Sequence, residues 1–149
     1  MFIKLLSEEC FYYMMEGLKK RTLRKGQRIS GIKRIEHLFG HGKSFISYPL
    51  RVVYVIRSSR DDYPISVMVS VPKKKLKSAV ARNRIKRLVR EAFRQNSHQL
   101  DIAAFPHEQS LDIAFVYLKD ELCDYATIQK AVLKALSEID RCMKGNEKC

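Results

Sequence analysis

The sequence predicts a two-layer α+β sandwich, in which helices pack on a β-sheet. Three observations favour this class. Apolar residues recur at helical spacing in three separate segments, runs rich in β-branched residues lie between those segments, and the sequence contains no internal repeat. The chain has 149 residues and is 46% hydrophobic, so it is long enough and apolar enough to bury one core.

The two ends of the chain are expected to lie outside that core. Residues 1–18 mix apolar and acidic side chains and lack the basic start and clean apolar stretch of a signal peptide. They predict an N-terminal extension, either a short amphipathic helix or a disordered arm. A single domain is predicted over residues 19–143, followed by a loose tail over residues 144–149.

A short helix is predicted to open the domain, with Ser30 as its candidate N-cap. Its apolar residues at helical spacing are Ile32, Ile35, Leu38 and Phe39. Gly40 and Gly42 end this helix, because glycine is favoured where a helix terminates.

Two strands are predicted next, over residues 45–57 and 65–71. Pro49 indicates that the first strand begins at an edge or a bulge. Side chains of this strand alternate between two faces. One face holds Leu50, Val52, Tyr54 and Ile56, and the other holds Arg51, Val53, Val55 and Arg57. A turn separates the two strands, so we expect them to form an antiparallel hairpin.

A second helix is predicted after Ser78, and it divides cleanly into two faces. The apolar face holds Ala81, Ile85, Leu88, Val89, Ala92 and Phe93. The opposite face holds Arg82, Asn83, Arg84, Lys86, Arg87, Arg90 and Arg94. A buried strand over residues 111–118 and a closing amphipathic helix from Tyr125 to Ile139 complete the order α-β-β-α-β-α.

The positive charge is concentrated in two segments. The formal net charge is +13. Residues 19–34 and 72–94 carry net charges of +8 and +9, which together exceed the net charge of the whole chain. The remaining 11 basic and 15 acidic residues leave the rest of the chain mildly acidic. This distribution predicts a polyanionic partner. A membrane surface is not expected, because the apolar face of the basic helix is needed for the core.

No constellation for protein-based catalysis is visible in the sequence. His37 and His41 have the i, i+4 spacing of zinc ligands, but the glutamate of an HExxH motif is missing and Gly40 and Gly42 break the helix there. A Walker-type phosphate loop and the clustered carboxylates of a metallonuclease are also missing. The four cysteines contain no CxxC pair, so a reduced, cytoplasmic protein is expected.

The basic helix is therefore the main functional feature, and structured RNA is its expected partner. A bZIP helix would continue into leucine heptads, and a helix-turn-helix recognition helix would follow another helix across a short turn. Neither pattern occurs around residues 79–94. Arginine suits RNA phosphates because its planar fork makes paired hydrogen bonds.

The run AVARNRIKRLVREAF, residues 79–93, closely resembles the RNR motif of the bacterial ribonuclease P protein component family. The run SVPKK at residues 70–74 is similar to the strand end and Lys-Lys loop of that family. The run LFGHG at residues 38–42 is similar to the end of its first helix. The resemblance covers about residues 21–142.

The resemblance implies a ribosomal-protein-like fold in the order α-β-β-β-α-β-α, with the third strand within residues 43–57 and a left-handed βαβ crossover. It implies that the chain assists a catalytic RNA that removes the 5′ leader from precursor tRNA. That RNA and its substrate would hold Mg²⁺, none would be bound by the protein alone, and one protein would bind one RNA.

Site residues are implied by position in the motifs. The residues expected to bind the catalytic RNA are Lys73, Lys74, Arg82, Asn83, Arg84, Lys86, Arg87 and Arg90. The residues expected to line a leader-binding cleft between the first helix and the sheet are Ile35, Phe39, Val52 and Tyr54. Ile35 departs from the family, where phenylalanine is common, and both Phe39 and Tyr54 can equally be core residues. Two alternatives stay open: a non-catalytic RNA-binding module of ribosomal-protein type, and a stand-alone nuclease.

Overall fold

The computed structural model describes residues 23–58, 63–101 and 109–145. Its elements are α1 (Ile32–His41), β1 (Lys43–Ser47), β2 (Leu50–Arg57), β3 (Ile65–Ser70), α2 (Ala79–Asn96), β4 (Ser110–Tyr117) and α3 (Tyr125–Met143). The α+β class and the order α-β-β-β-α-β-α are confirmed. The predictions for residues 1–18 and for most of the C-terminal tail lie outside the described residues.

The strand predicted over residues 45–57 is in fact two strands. A turn at Tyr48 and Pro49, which are joined by a cis peptide bond, separates β1 from β2. β1 folds back antiparallel to β2, with Lys43 opposite Tyr54 and Ser47 opposite Leu50. The proline marks the break because it lacks the N–H that a continuous strand would use for pairing.

The sheet has the order β1-β2-β4-β3, which corrects the predicted hairpin between residues 45–57 and 65–71. β4 lies between β2 and β3, antiparallel to the first and parallel to the second. All residues of β4 from Ser110 to Phe115 are buried. A strand that is buried on both faces belongs in the centre of a sheet. The alternation of apolar and polar residues within β2 and β3 does not reveal which strands lie beside them.

One face of the sheet packs against α2 and α3 and forms the larger core. Phe115 and Tyr117 of β4 meet Ile85 of α2 and Leu136 of α3, and all four side chains are fully buried. Burying each such side chain contributes roughly 1.5–3 kcal/mol relative to leaving it exposed. β3, α2 and β4 form the parallel βαβ unit for which the resemblance implies a left-handed crossover.

The opposite face of the sheet is covered by α1. Leu38 of α1 packs with Ile29, Val53 and Ala114, and it is the single fully buried residue of this completely described helix. The N-cap is Gly31 rather than Ser30. Its φ of +96° lies in the region that glycine adopts most readily, which moves the helix start by one residue.

α1 crosses the strands from one edge of the sheet to the other. The chain before it is tied to edge strand β3, where the Ile29 N–H donates to the Val67 carbonyl at 3.0 Å. The chain after it enters edge strand β1 at Lys43. Ten helical residues span about 15 Å, which matches the roughly 14 Å across four strands. The two flanks of α1 therefore face different rows of sheet residues.

Two further expectations concern the membrane and the cysteines. In the part of the chain that the structure describes, no helix has the length and apolarity to span a bilayer. Cys123 is a free, buried thiol, whereas Cys142 is disulfide-bonded, which corrects the expectation of fully reduced cysteines. Sequence spacing does not report which thiols a fold brings together.

Candidate nucleic-acid interface

The exposed face of α2 is set by its buried face. Ser78 caps the helix by accepting a hydrogen bond from the Ala81 N–H at 3.4 Å. Ile85, Val89, Ala92 and Phe93 then point into the core. Because a helix repeats every 3.6 residues, the basic residues between them face outward. Asn83, Arg84 and Arg87 are exposed, and Lys86 and Arg90 are half-buried.

This face carries positive charge that the fold does not neutralise. Among the described residues, no carboxylate forms an ion pair with Arg84, Lys86, Arg87 or Arg90. The one acid in this helix, Glu91, is taken up by Arg94, whose Nε lies 2.8 Å from a Glu91 oxygen. The hydrogen bonds from Arg94 lower the pKa of Glu91, so this carboxylate stays ionised beside its own partner. The remaining cations are left for an external anion.

The two lysines before α2 belong to a turn that the fold holds in place. Backbone N–H groups of Lys75 and Leu76 donate to the Pro72 carbonyl at 3.0 and 3.2 Å. Arg82 Nη1 donates to the carbonyls of Leu76 and Lys77 at 2.9 and 2.8 Å. Arg82 therefore fastens this turn to α2. Lys73 and Lys74 remain exposed at the start of the basic helix.

The segment before α1 adds a cation that the sequence did not single out. Arg28 pairs in parallel with Val67 at the outer edge of β3, and Val67 faces α2. Arg28 shares that face because paired residues point the same way. Burial and the neighbouring Arg28 both lower the pKa of Arg90. The basic surface thus extends from α2 to the edge of the sheet, which no spacing rule could have indicated.

Val52 and Tyr54 do not lie where the cleft prediction placed them. Both are buried, at 0% and 4% exposure, on the face that packs against α2 and α3, opposite α1. Tyr54 makes an edge contact with Phe45, and burial raises its pKa. Alternation is the reason, since a shift of one residue moves a side chain to the other face of a strand. The β2 residue beneath α1 is Val53.

Ile35 and Phe39 lie on the flank of α1 that helical spacing turns away from Arg34, and the surface between this flank and the sheet is the candidate groove. Ile35 is partly buried against the small core beneath α1. Arg34, on one flank of α1, bonds to Asp112, so the other flank, with Ile35 and Phe39, faces the row of residues on the opposite side. Register places four paired residues in that row, namely Ile46, Arg51, Val116 and Ser70. Ile46 is 65% exposed and Phe39 is 44% exposed, so both offer apolar surface to solvent.

We expect Tyr54→Phe to leave RNA binding unchanged and to raise the free energy of unfolding slightly. The Tyr54 hydroxyl is buried without a hydrogen-bond partner, so it loses water on folding and gains nothing in return. Removing it is expected to stabilise the protein by up to about 1 kcal/mol. Urea unfolding measures the change. If this variant loses the preference for leader-bearing tRNA over mature tRNA, Tyr54 contacts the leader after all.

The described residues offer no evident metal site. The rings of His37 and His41 lie 4.9 Å apart, but within the described ranges no group of three or more His, Cys, Asp or Glu side chains converges. Two histidines alone do not complete the ligand set of a structural or catalytic zinc site.

Comparisons with known proteins agree with one another. The family model described as Ribonuclease P matches residues 23–140. The ribonuclease P protein component of Porphyromonas gingivalis is 44% identical over 117 residues, which cover 78% of this chain and 85% of that protein. The component from Clostridioides difficile is 31% identical, covering 76% and 94%. The solved ribonuclease P protein of Thermotoga maritima is 27% identical with a TM-score of 0.58, covering 74% and 96%.

Proposed function

Because this chain belongs to the ribonuclease P protein family and is a subunit of the ribonucleoprotein that matures tRNA 5′ ends, we propose that it binds two RNAs on opposite faces of its sheet. One is the catalytic RNA of the enzyme, bound at α2. The other is the 5′ leader of precursor tRNA, bound in the groove beside α1. The RNA subunit then contains the active site and breaks the phosphodiester bond.

The observation that carries the first part is the unneutralised basic face of α2. Arg84, Lys86, Arg87 and Arg90 present cations at successive turns on a helix that is capped and packed into the core. A rigid row of this kind can bind a phosphate backbone without first having to become ordered. Lys73 and Lys74 extend the row, Asn83 can donate to phosphate or sugar, and Arg82 holds the turn in register.

The groove beside α1 supports the second part. Phe39 and Ile46 supply exposed apolar surface, and Arg51 supplies a cation on the floor. An aromatic ring can stack on any base, so such a groove suits a single strand of varied sequence. We therefore propose that the leader contacts Ile35 and Phe39 of α1 and the sheet row that contains Arg51. Val52 and Tyr54 are not part of this proposed contact.

This arrangement assigns the protein a positioning role in the reaction. The sheet separates α2 from the groove, so one rigid body can hold the catalytic RNA and the leader at a set distance. Mature tRNA lacks the leader and loses the second contact, so the complex prefers precursor over product. Positioning of this kind lowers the entropic part of the barrier, and neutralised phosphates allow the RNAs to approach each other.

We assign Mg²⁺ to the RNA subunit and the substrate phosphates. The proposed RNA-binding surface is cationic and repels a divalent ion, and no cluster of carboxylates within the described ranges offers the oxygen ligands that Mg²⁺ prefers. We further propose one protein for each catalytic RNA and a cytoplasmic location.

Multiple-turnover cleavage of a precursor tRNA at low Mg²⁺ tests the proposal, with protein alone, catalytic RNA alone and both together. We expect efficient cleavage only with both. Cleavage by the protein alone would make the chain a nuclease. If the protein does not increase cleavage by the catalytic RNA from its own source, the result would favour the alternative, a binding module of ribosomal-protein type.

Phe39→Ala is expected to lower the affinity for precursor tRNA relative to mature tRNA. Loss of one stacked base costs about 1–3 kcal/mol, so the preference should fall by roughly 5-fold to 150-fold. Leu122→Ala is the matched control, because Leu122 is 47% exposed against 44% for Phe39 and lies in the loop before α3. Equal losses for both tRNAs would place Phe39 outside the groove contact.

A further inference from the structure

A buried carboxylate lies beneath α1 in the central strand of the sheet. Asp112 of β4 has 0% exposure and stands between Val55 of β2 and Ser66 of β3. Arg34 of α1 grips both of its oxygens, with Nε at 3.0 Å from Oδ2 and Nη2 at 2.7 Å from Oδ1. Arg57 of β2 also contacts it, with Nε at 2.8 Å from Oδ2. The arginine side chains are 21% and 16% exposed.

Apolar side chains of similar volume could stabilise the sheet as well as this ion pair does, although removing one partner alone would be costly. Buried ion pairs often contribute no more than apolar side chains of similar volume, because both charges must leave water. The two hydrogen bonds from Arg34 to Asp112 fix the orientation of the Arg34 side chain, since a planar guanidinium meets a carboxylate in one orientation.

α1 benefits from such a directional contact because only Leu38 and the partly buried Ile35 anchor it to the core beneath it, among the described residues. Its N-cap residue is a glycine with no side-chain hydrogen bond, and Leu38 is its one fully buried side chain. A helix held by so few apolar contacts can still rotate about its own axis. Arg34 precedes Leu38 by one turn and points to one side of the Leu38 contact, whereas Phe39 lies to the other side. A rotation that releases Arg34 therefore also moves Phe39 relative to the groove floor.

We propose that Arg34 and Asp112 are positioning residues that fix the rotation of α1, and thereby set how well the groove distinguishes precursor from mature tRNA. The proposal rests on the leader-binding groove proposed above. It assigns no contact with RNA to either residue. Discrimination between the two tRNAs should therefore depend on a contact that lies under the helix rather than in the groove.

Arg34→Gln tests this, because Arg57 still neutralises Asp112 in that variant. We expect the precursor-to-mature affinity ratio of the holoenzyme to fall by about 5-fold to 10-fold, part of the effect of losing a stacked base. Affinity of the protein for catalytic RNA should stay unchanged, since α2 lies across the sheet. Arg141→Gln is the matched control. It removes the same charge from an ion pair confined to α3 and should change neither quantity.

Arg34→Lys separates orientation from charge. Lysine retains the charge but lacks the planar fork, so we expect a loss close to that of Arg34→Gln. A full return of the wild-type ratio with lysine would overturn the positioning role in favour of simple charge. Lysine also keeps a cation next to Asp112, so it provides the measurement if Arg34→Gln does not fold.

A double-mutant cycle with Phe39→Ala identifies the route of the effect. If Arg34 acts through the position of Phe39, Arg34→Gln should cost little once Phe39 is already alanine. Additive losses would overturn the proposal. A Phe39→Ala variant with an unchanged ratio would instead refute the leader groove itself. A fall with Phe39→Ala but none with Arg34→Gln would refute the positioning role alone.

Discussion

An Arg84→Ala, Arg87→Ala double variant is expected to bind catalytic ribonuclease P RNA about 100-fold more weakly than the wild type. Both side chains are exposed on α2 and have no acidic partner among the described residues, so their removal should leave the fold intact. Each lost charge-assisted hydrogen bond costs on the order of 1.5 kcal/mol, or about tenfold in affinity. Filter binding at fixed salt measures the loss, and circular dichroism verifies the fold.

Salt dependence adds a second measurement to the same experiment. With about six phosphate contacts, the logarithm of wild-type affinity should fall against the logarithm of salt with a slope near −4 to −5. The slope of the double variant should be less negative by about 1.5 to 2, because two phosphate contacts are lost. Lys130→Ala with Lys134→Ala is the control, because it removes the same charge from exposed positions on α3. Equal losses of affinity in both double variants would mean that RNA binding depends on the net charge of the protein and not on the α2 face.

Asp112→Asn is expected to cause the largest loss of stability among the substitutions considered. The change leaves Arg34 and Arg57 facing a neutral amide within the sheet. Breaking a buried ion pair from one side typically costs about 3–5 kcal/mol, because the remaining charges stay desolvated without a partner. Equilibrium unfolding in urea measures this loss.

Two comparisons make that result specific. Asp120→Asn breaks the exposed ion pair with Lys75 and should have a much smaller effect, because water already screens those charges. Arg34→Gln should also cost less than Asp112→Asn, since it leaves Asp112 with Arg57. A small effect of Asp112→Asn would mean that water reaches the carboxylate and that the contact does not hold α1.

The basic helix could be read almost completely from sequence. The 3.6-residue period of its apolar positions determines which side chains are buried, and the arginines follow as the opposite face. Two details required the structure. Arg82 uses its guanidinium on backbone carbonyls of the preceding turn, and Arg94 is paired with Glu91. Both contacts depend on side-chain conformations that a helical wheel does not contain.

The groove was predicted less well, for a reason that concerns register. Its helix side, Ile35 and Phe39, is implied by the family resemblance. The resemblance implies Val52 and Tyr54 for its sheet side, but both lie on the face opposite α1, whereas Val53 and Ala114 lie beneath α1. Alternation separates the two faces of β2 but does not state which of them a helix covers.

By itself, the sequence determined the α+β class, the limits of most elements, the basic face of α2 and the family. These properties depend on patterns within single segments, where neighbouring residues decide the outcome. The tertiary structure alone decided that β4 separates β2 from β3, that α1 covers the Val53 face, and that Arg28 joins the basic surface. It alone brought Arg34 and Asp112 together across 78 residues of chain. Such contacts depend on which segments share a core, and that choice is made by the packing of the whole chain.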